Sequence, residues 1–447
     1  MINRPLLFVL FFMIKKFSLP RGTTDILPDE IAAWQDLETT TRRILKTYHY
    51  QEIRTPIFED IRLFQRSLGD TSDVVNKQLL EMKSSQEIEN AEQVAMPMES
   101  YYALRPEGTA AVVRSYLANG LDSKDQLSKL FYIGPMFRGE RPQKGRLRQF
   151  HQIGVEAIGT RGYLPYLDAE ILALAMHLLK DLGVKNPRLK INSLGSQEDK
   201  EHISIWLREE LGKYKKDLCE KCQSRFERNV FRVLDCKNES CRRIVTSVVK
   251  DLPLSEVSKI YFQAVQEALK KIHIDFEITP HLVRGLDYYT HTVFEITADG
   301  LGSQDAVGAG GGYDWLIEEL GGSPNITYGA IGFALGIERI LLSKGNMIES
   351  SDTLNTFVVS MPNMGQSSAL QLVQQLRQAS ISADMSFFSS SFKSQMSRAN
   401  KLGARFALIL GEEELKNGTV AVKDMLKSVQ EPVNKDKIVD YLRKALS

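Results

Sequence analysis

Residues 129–159, KLFYIGPMFRGERPQKGRLRQFHQIGVEAIG, are the stretch that decides the fold of this chain. Two apolar segments of strand length, 130–137 and 149–158, flank a loop in this stretch. The loop contains two glycines and a proline, which exclude a helix at that point. The stretch therefore predicts a β-hairpin with two long strands.

The loop of this hairpin is strongly basic. It contains a single acid, Glu140, and five cations: Arg138, Arg141, Lys144, Arg146 and Arg148. A guanidinium group can hold two phosphate oxygens at once, so a cationic loop on a rigid hairpin suits a phosphate-rich ligand. The alternative is an amphipathic surface hairpin whose loop is solvated.

The second strand of the hairpin carries polar side chains on one face. Side chains alternate between the two faces of a strand, so Gln152, Gly154 and Glu156 share a face and apolar residues lie on the other. We expect this polar face to form the floor of a small-ligand site, with free space above Gly154.

Composition bounds the kind of protein. A chain of 447 residues with 25% charged and 43% hydrophobic residues is typical of a globular protein of about two or three domains. The formal net charge of +1 excludes binding to nucleic acid through overall basicity. The glycine run at 310–312 lacks the GxGxxG spacing of dinucleotide-binding proteins, and the chain has no GxxxxGK[ST] phosphate loop.

Four stretches together resemble one enzyme family. FRGERPQKGRLRQFHQIGVE at 137–156 resembles the second signature motif of class II aminoacyl-tRNA synthetases, in the form found in the histidyl-tRNA synthetase family. LRPEGT at 104–109 resembles the amino-acid-binding loop of that family, and LVRGLDYYTHTVFE at 282–295 resembles a signature of its histidyl members. GFALGIER at 332–339 resembles the third class II motif. The four stretches occur in the family's order.

The resemblance implies an α+β fold. Residues 17–345 would form a class II catalytic domain, with an antiparallel sheet flanked by helices and a helical insertion at about 197–260. Residues 353–447, in which strands and helices alternate, would form an α/β anticodon-binding domain. We interpret residues 1–16 as an N-terminal extension and expect translation to begin at Met13.

The resemblance also implies site residues. The implied catalytic residues are Arg138, Arg284 and Arg339, and the implied ATP-binding residues are Arg138, Glu140 and Arg339. The implied histidine-binding residues are Glu107, Gly108, Thr109, Gln152, Glu156, Arg284, Tyr288 and Tyr289. From the residues alone, Glu107–Thr109 could instead cap a helix at 110–118, with Thr109 as the N-cap. His151 is expected to be structural.

The function implied is the activation of L-histidine with ATP, accompanied by Mg²⁺, and transfer of histidine to the 3′ end of tRNA(His). The implied protein is a cytoplasmic homodimer with no membrane partner. One alternative is a catalytically inactive, histidine-binding regulatory subunit of ATP phosphoribosyltransferase. Such relatives typically lack the anticodon-binding domain, which residues 353–447 would supply. A generic nucleotide-binding protein is a third hypothesis.

Two features leave alternatives open. The helix predicted from about Asp29 has an apolar face that, by resemblance, lies in a dimer interface, or that packs within its own chain. The four cysteines, Cys219, Cys222, Cys236 and Cys241, have spacings that can bind Zn²⁺. We favour free thiols on a helical insertion and place no metal ligand in the predicted site.

The remaining predictions are local. Residues 61–100, which are polar, are expected to form a loop over the site, and residues 281–296 are expected to return to strand structure. An apolar strand from Ala330 should turn into a helix that carries Glu338 and Arg339.

Overall fold

The computed structural model describes eight segments of the chain, which form two compact units. One unit contains Ala33–Met347 and the other contains Ile348–Ser447. The described segments are residues 17–69, 72–83, 101–160, 164–302, 305–344, 354–361, 365–388 and 390–446. The expected start at Met13 and residues 84–100 of the expected loop lie outside these segments.

An eight-stranded sheet forms the centre of the first unit, and a three-stranded sheet (β2-β4-β3) lies beside it. The large sheet has the order β1-β5-β6-β11-β10-β9-β7-β8. Its inner pairs are antiparallel, as expected, whereas the two edge pairs β1–β5 and β7–β8 are parallel, so the sheet is mixed. The strands are β1 Gln51–Glu52, β2 Phe58–Asp60, β3 Leu80–Met82, β4 Tyr102–Leu104, β5 Leu127–Phe137, β6 Gln149–Gly159, β7 Arg188–Ser193, β8 Glu277–Ile278, β9 Thr290–Thr297, β10 Ala306–Gly312 and β11 Gly329–Gly336.

Helices cover this sheet and form the insertion between β7 and β8. The insertion consists of α7 to α11 and has its own apolar core, which includes Ile203, Leu207, Val233 and Val245. The helices of the first unit are α1 Pro28–Thr47, α2 Ile61–Leu68, α3 Asp73–Lys77, α4 Thr109–Ala118, α5 Leu121–Lys124, α6 Pro165–Asp181, α7 Gln197–Gly212, α8 Glu220–Arg228, α9 Phe231–Leu234, α10 Glu239–Val248, α11 Glu256–Lys271, α12 Asp314–Glu319 and α13 Ile337–Lys344.

The predicted hairpin is the longest strand pair of the sheet. β5 and β6 pair without a break from Leu127 opposite Gly159 to Phe137 opposite Gln149. β6 also pairs along its length with β11, so it lies inside the sheet and both of its edges are hydrogen-bonded. The polar face of β6 is therefore held in a fixed position at the centre of the unit.

The apolar face of α1 is buried within its own chain. Trp34, Leu37, Ile44 and Leu45 are all buried there. The ring of Trp34 packs edge-on against His151, with 4.9 Å between the ring centroids. The sequence left two alternatives for this face: a dimer interface, or packing within its own chain. The structure has this face packed within its own chain.

His151 and Glu338 join the hairpin to the helix that follows β11. Both carboxylate oxygens of Glu338 accept from the His151 backbone N–H, at 2.9 and 3.0 Å, and His151 Nδ1 lies 3.0 Å from Glu338 Oε1. The predicted strand-to-helix turn at β11–α13 is present, and His151 has the structural place expected of it.

Two local predictions are wrong. Residues 61–68 form helix α2 instead of a loop, because Asp60 caps the helix and an apolar face that includes Phe64 and Leu68 is buried. The strand expected over 281–296 begins only at Thr290. The preceding residues form a loop, since Asn192 Nδ2 donates to the carbonyl oxygens of Pro280 and Leu282 at 3.0 Å.

The second unit is a five-stranded mixed sheet of order β13-β12-β14-β15-β16 with helices packed on it. The alternation expected from the sequence is present, but strand β16 was not predicted. Pro432 interrupts its pattern, and an edge strand tolerates a proline. The elements are β12 Thr356–Ser360, α14 Gln366–Gln378, β13 Ala383–Met385, α15 Phe392–Lys401, β14 Phe406–Leu410, α16 Glu412–Asn417, β15 Thr419–Asp424, β16 Gln430–Asn434 and α17 Ile438–Leu446.

No helix among the described residues combines the length and the apolar character that crossing a bilayer requires.

Candidate active site

A cavity of about 360 Å³ lies over the polar face of β6 in the first unit. All the site residues predicted from the sequence line it except Gly108 and Glu156, which lie directly behind its wall. The side chains come from four separate parts of the chain: the start of α4, the β5–β6 hairpin, the loop before β9 and the start of α13. The fold therefore brings together residues that are far apart in the sequence.

Glu107 caps the helix that begins at one end of the cavity. Its carboxylate accepts from the backbone N–H of Thr109 at 2.7 Å and of Ala110 at 2.9 Å. The predicted N-cap, Thr109, is instead the first residue of α4, and its hydroxyl donates to Glu156 Oε1 at 2.8 Å. Burial raises the pKa of Glu107, although these backbone hydrogen bonds oppose the rise. Capping and ligand binding are compatible, because Glu107 also lines the cavity.

Glu156 is a fully buried carboxyl behind the wall of the cavity. Burial raises its pKa to about 8, while the nearby hydroxyl of Tyr313 and the hydrogen bond from Thr109 act in the opposite direction. Its side chain crosses the neighbouring strand over Gly332, where an added Cβ would lie 2.0 Å from Glu156 Oε2. Only glycine leaves room for the carboxyl at this point of the sheet.

Tyr132 occupies the space above Gly154 that was predicted to be free. A Cβ on Gly154 would lie 1.9 Å from the Tyr132 Cζ, and a Cβ on Gly108 would lie 2.2 Å from the same atom. Tyr132 is buried and pairs directly with Gly154 in the β5–β6 register. The prediction of open space was wrong because it considered one strand without the side chain opposite it.

The space beside the glycine run of β10 is also occupied by protein atoms. A Cβ on Gly310 would lie 2.1 Å from the carbonyl oxygen of Gly332, and one on Gly311 would lie 2.7 Å from that of Thr292. Close approach of neighbouring strands therefore requires these glycines, and the part of β10 that lines the cavity is residues 306–309, which precede the run.

Tyr288 and Tyr289 form the wall facing Glu107. Their rings are tilted with 4.6 Å between centroids, and the Tyr288 ring also meets Tyr313 edge-on at 6.1 Å. Burial raises the pKa of Tyr289 to about 12 and that of Tyr288 well above its usual value, so both hydroxyls stay protonated at neutral pH. Each phenol can therefore donate a hydrogen bond to a ligand.

The guanidinium group of Arg138 is held between the hairpin and the start of α4. Its Nε donates to the carbonyl oxygen of Pro106 at 2.8 Å, and the group lies over the Phe150 ring at 5.1 Å. Burial lowers the pKa of Arg138, while the nearby carboxylates of Glu140 and Glu107 oppose this effect. Arginine stays charged despite such a shift, so Arg138 presents a fixed cation to the cavity.

Arg284 and Arg339 are fixed in similar ways. Arg284 Nη1 donates to Glu295 Oε2 at 2.8 Å, and the Nε of Arg284 is buried with no hydrogen-bond partner among the described residues. Arg339 Nε donates to the carbonyl oxygen of Ala306 at 2.5 Å. Burial, followed by the nearby charge of Arg146, lowers the pKa of Arg339.

Positive charge dominates the cavity. The arginines that line it are Arg138, Arg146, Arg232, Arg284 and Arg339, and the lining carboxylates are Glu107 and Glu140. Glu140 lies 3.9 Å from Arg146. Such a lining is chemically able to bind a polyanion through its arginines and a small polar ligand through Glu107, Gln152 and the two tyrosines.

Sequence reasoning missed several residues of the site. Tyr132 could have been found from the hairpin register, because an aromatic residue opposite glycine is a recurring pair. Glu295 lies at the end of the motif at 282–295 but was not among the predicted site residues. Arg232 and Tyr313 have no local signal, since only the tertiary structure brings them to the cavity.

The four cysteines lie together outside this cavity. Their Sγ atoms are all within 4.8 Å of one another. Cys222, Cys236 and Cys241 are buried, whereas Cys219 is partly exposed.

Comparisons with known proteins agree with this arrangement. A family model described as histidyl-tRNA synthetase matches residues 22–196 and 228–340, and an anticodon-binding-domain model matches residues 356–445. The chain belongs to the histidyl-tRNA synthetase family of class II aminoacyl-tRNA synthetases. The predicted family and the predicted α+β fold with a C-terminal anticodon-binding domain are thus confirmed.

Individual relatives match over nearly the whole chain. Histidine–tRNA ligase from Moorella thermoacetica is 44% identical, with 96% of this chain and 98% of the relative covered. The enzyme from Halothermothrix orenii is 41% identical, with 95% and 98% covered. Apo histidyl-tRNA synthetase from Staphylococcus aureus has a similar structure, with a TM-score of 0.76 at 35% identity over 96% of this chain and all of that one.

Proposed function

We propose that this protein is a histidine–tRNA ligase, which activates L-histidine with ATP and transfers it to the 3′ end of tRNA(His). The observation that carries the proposal is a single cavity lined both by arginines and by carboxyl and tyrosine side chains. The arginines suit the phosphates of ATP, and the carboxyl and tyrosine side chains suit the polar groups of histidine. A reaction that joins these two ligands needs both sets of side chains to face the same space.

In the first step, a carboxylate oxygen of histidine attacks the α-phosphorus of ATP, and pyrophosphate leaves with the electrons of the broken P–O bond. Negative charge accumulates on the α-phosphate oxygens in the transition state, so fixed cations stabilise it. We assign Arg138 and Arg284 to the α-phosphate and the histidine carboxylate, and Arg339 to the terminal phosphate. Each of the three is held by a protein oxygen, which supports prior positioning.

We assign recognition of histidine to the other polar side chains of the site. Glu107, Thr109 and Gln152 face the α-amino group, because an ammonium requires several oxygen acceptors close together. Glu156, Tyr288 and Tyr289 surround the imidazole, which has one donor and one acceptor nitrogen when neutral. An analogue that lacks either nitrogen leaves a buried polar group without a partner and is rejected for that reason.

The nucleotide is expected to bring Mg²⁺ with it. Glu140 lines the cavity, and its carboxylate is a hard oxygen ligand of the kind that Mg²⁺ accepts beside phosphates. Mg²⁺ bound there would neutralise phosphate charge. Glu140 would hold the ion on the nucleotide while the arginines orient the α-phosphate.

In the second step, a hydroxyl of the terminal adenosine of tRNA attacks the adenylate carbonyl carbon, and AMP leaves. No protein nucleophile is required, because the adenylate is already activated. We assign catalysis to residues 17–345 and recognition of the anticodon to residues 353–447. The match of residues 356–445 to an anticodon-binding-domain model supports the second assignment.

We also propose that two chains associate in the cytoplasm. Since the apolar face of α1 is buried in its own chain, the contact would use other apolar residues. Ile57, Phe58 and Tyr102 are 46%, 44% and 46% exposed, and the rings of Phe58 and Tyr102 meet edge-on with 5.8 Å between their centroids. Light scattering during size-exclusion chromatography should give twice the mass of the chain, and Phe58→Asp should shift it toward the mass of one chain.

Histidine-dependent exchange between ATP and pyrophosphate tests the function. Exchange with histidine, and not with other amino acids, is the expected result. The competing hypothesis is a histidine-binding regulatory subunit of ATP phosphoribosyltransferase, which would bind histidine without any exchange. That result, with histidine binding intact by calorimetry, would overturn the proposal.

A further inference from the structure

The four cysteines of the insertion converge from two parts of the chain. Cys219 directly precedes α8 and Cys222 lies in its first turn. Cys236 follows α9, and Cys241 lies in α10. All four Sγ atoms are nevertheless within 4.8 Å of one another, and those of Cys219 and Cys236 are 3.9 Å apart. Four thiolates that bind one Zn²⁺ tetrahedrally at about 2.3 Å lie about 3.8 Å from each other, so the observed cluster is close to that size.

Neither a disulfide nor ordinary core packing accounts for the cluster as well as a metal ion does. A disulfide needs sulfur atoms about 2.05 Å apart, far closer than the 3.9 Å between Cys219 and Cys236. Thiols that merely fill a core need not point at a common centre. Here the backbone N–H of Cys219 also donates to Cys241 Sγ at 3.2 Å, and such donors stabilise a thiolate that is bound to a metal.

We propose that Cys219, Cys222, Cys236 and Cys241 bind one Zn²⁺, and that this metal site fixes the base of a helical hairpin. The helical hairpin in turn positions the loop before β9. Free thiols were the favoured alternative from the sequence, because the second cysteine pair has four residues between its members, a looser spacing than that of the commonest zinc knuckles. The helical hairpin is residues 223–235, which lie between the two cysteine pairs and contain most of α8 and all of α9. These helices have nine and four residues, and helices so short are marginal without a further constraint.

The helical hairpin contacts the loop before β9, which carries Arg284, Tyr288 and Tyr289. Asn229 Nδ2 donates to Asp287 Oδ1 at 3.0 Å, and Arg232 Nη1 donates to the carbonyl oxygen of Arg284 at 3.5 Å. Arg232 itself lines the cavity beside Arg284. The metal site does not depend on the proposed function. The positioning role of Asn229 and Arg232 does rest on the proposed function.

Elemental analysis of the untagged full-length protein, dialysed against a weak chelator, tests the metal site. We expect about one zinc atom per chain in the wild type and in Ser224→Ala, a matched change at a position of the same helix that is not a cysteine. Cys222→Ser should retain less than about a tenth of an atom per chain. Zinc below a tenth in the wild type, or iron in its place, overturns the zinc site. Replacement by Co²⁺ gives a second readout, because a tetrathiolate site has a strong sulfur-to-cobalt charge-transfer band that Ser224→Ala keeps.

Asn229→Ala tests positioning without touching a metal ligand. It should keep its zinc and its circular dichroism spectrum while the KM for histidine in pyrophosphate exchange rises about tenfold, as expected for a lost hydrogen bond to a charged group. Unchanged KM values in both Asn229→Ala and zinc-free Cys222→Ser would overturn the positioning role and leave the metal site standing. If the wild type binds zinc but exchanges no pyrophosphate with any amino acid, the proposed function fails separately from the metal site.

Discussion

Arg284 and Glu295 form an ion pair at the edge of the cavity, with 2.8 Å between Nη1 and Oε2. The two side chains are only 21% and 27% exposed, so water screens the pair weakly. Glu295 lies in β9, between β10 and β7, and is therefore a rigid anchor. The Glu295 carboxylate, which is held in the sheet, therefore fixes the orientation of the Arg284 guanidinium, which lies in a loop.

Arg284→Ala should lower histidine-dependent pyrophosphate exchange by about 100-fold or more, the usual cost of removing a fixed donor from developing negative charge. The circular dichroism spectrum should remain that of the wild type. Arg188→Ala is the matched control, because Arg188 also pairs with a carboxylate, Asp299, but does not line the cavity. Near-normal exchange in Arg284→Ala would remove this residue from the mechanism.

Glu295→Gln should lower the kcat of exchange about tenfold and change the KM for histidine less. Glutamine still accepts a hydrogen bond through its carbonyl oxygen, but it lacks the charge that makes the bond to Arg284 strong. Steady-state kinetics of the exchange measure both constants. If kcat stays at the wild-type value, Glu295 has no positioning effect on Arg284.

Glu156→Gln should remove part of the pH dependence of stability. The pKa of Glu156 is raised from 4.5 to about 8 in the folded protein by burial, so between these values the folded state binds more protons than the unfolded state. The free energy of unfolding therefore decreases as pH rises from about 4.5 to about 8. The difference in the free energy of unfolding between wild type and variant, measured by urea unfolding across this range, should change steadily with pH.

The pH dependence of the wild type alone cannot be assigned to Glu156, because another buried carboxyl titrates in the same range. The difference between wild type and Glu156→Gln is therefore the quantity to measure. Burial raises the pKa of Asp168 to about 7, which also lowers stability as pH rises. Glu201→Gln, a change at an exposed position of α7, serves as the control and should follow the wild-type profile. A Glu156→Gln profile parallel to the wild type would show that Glu156 does not change its charge here.

Gly154→Ala should destabilise the first unit by about 1–3 kcal/mol, since the new methyl group meets the Tyr132 ring in a packed interior. In a Tyr132→Ala background the same change should cost far less, because the ring is gone. A double-mutant cycle from urea unfolding measures this coupling. An equal cost in both backgrounds would mean that Tyr132 does not fill the space above Gly154.

The order of local elements could be read from the sequence where a pattern lies within one segment. The hairpin at 129–159 and the β11–α13 turn are of this kind, because alternation, glycine and proline act over a few residues. The loop before β9 was misread as a strand. Its backbone carbonyls are bound by Asn192, a residue about 90 positions earlier in the chain.

The sequence by itself determined the family and nine of the side chains that line the cavity, since those depend on motifs whose members lie close together. Tertiary structure alone decided that Tyr132 covers Gly154, that Glu295 holds Arg284, and that the four cysteines meet. Each of these contacts joins residues on different elements. Strand register and packing, which act between segments distant in the chain, place such residues together, and no local pattern records the result.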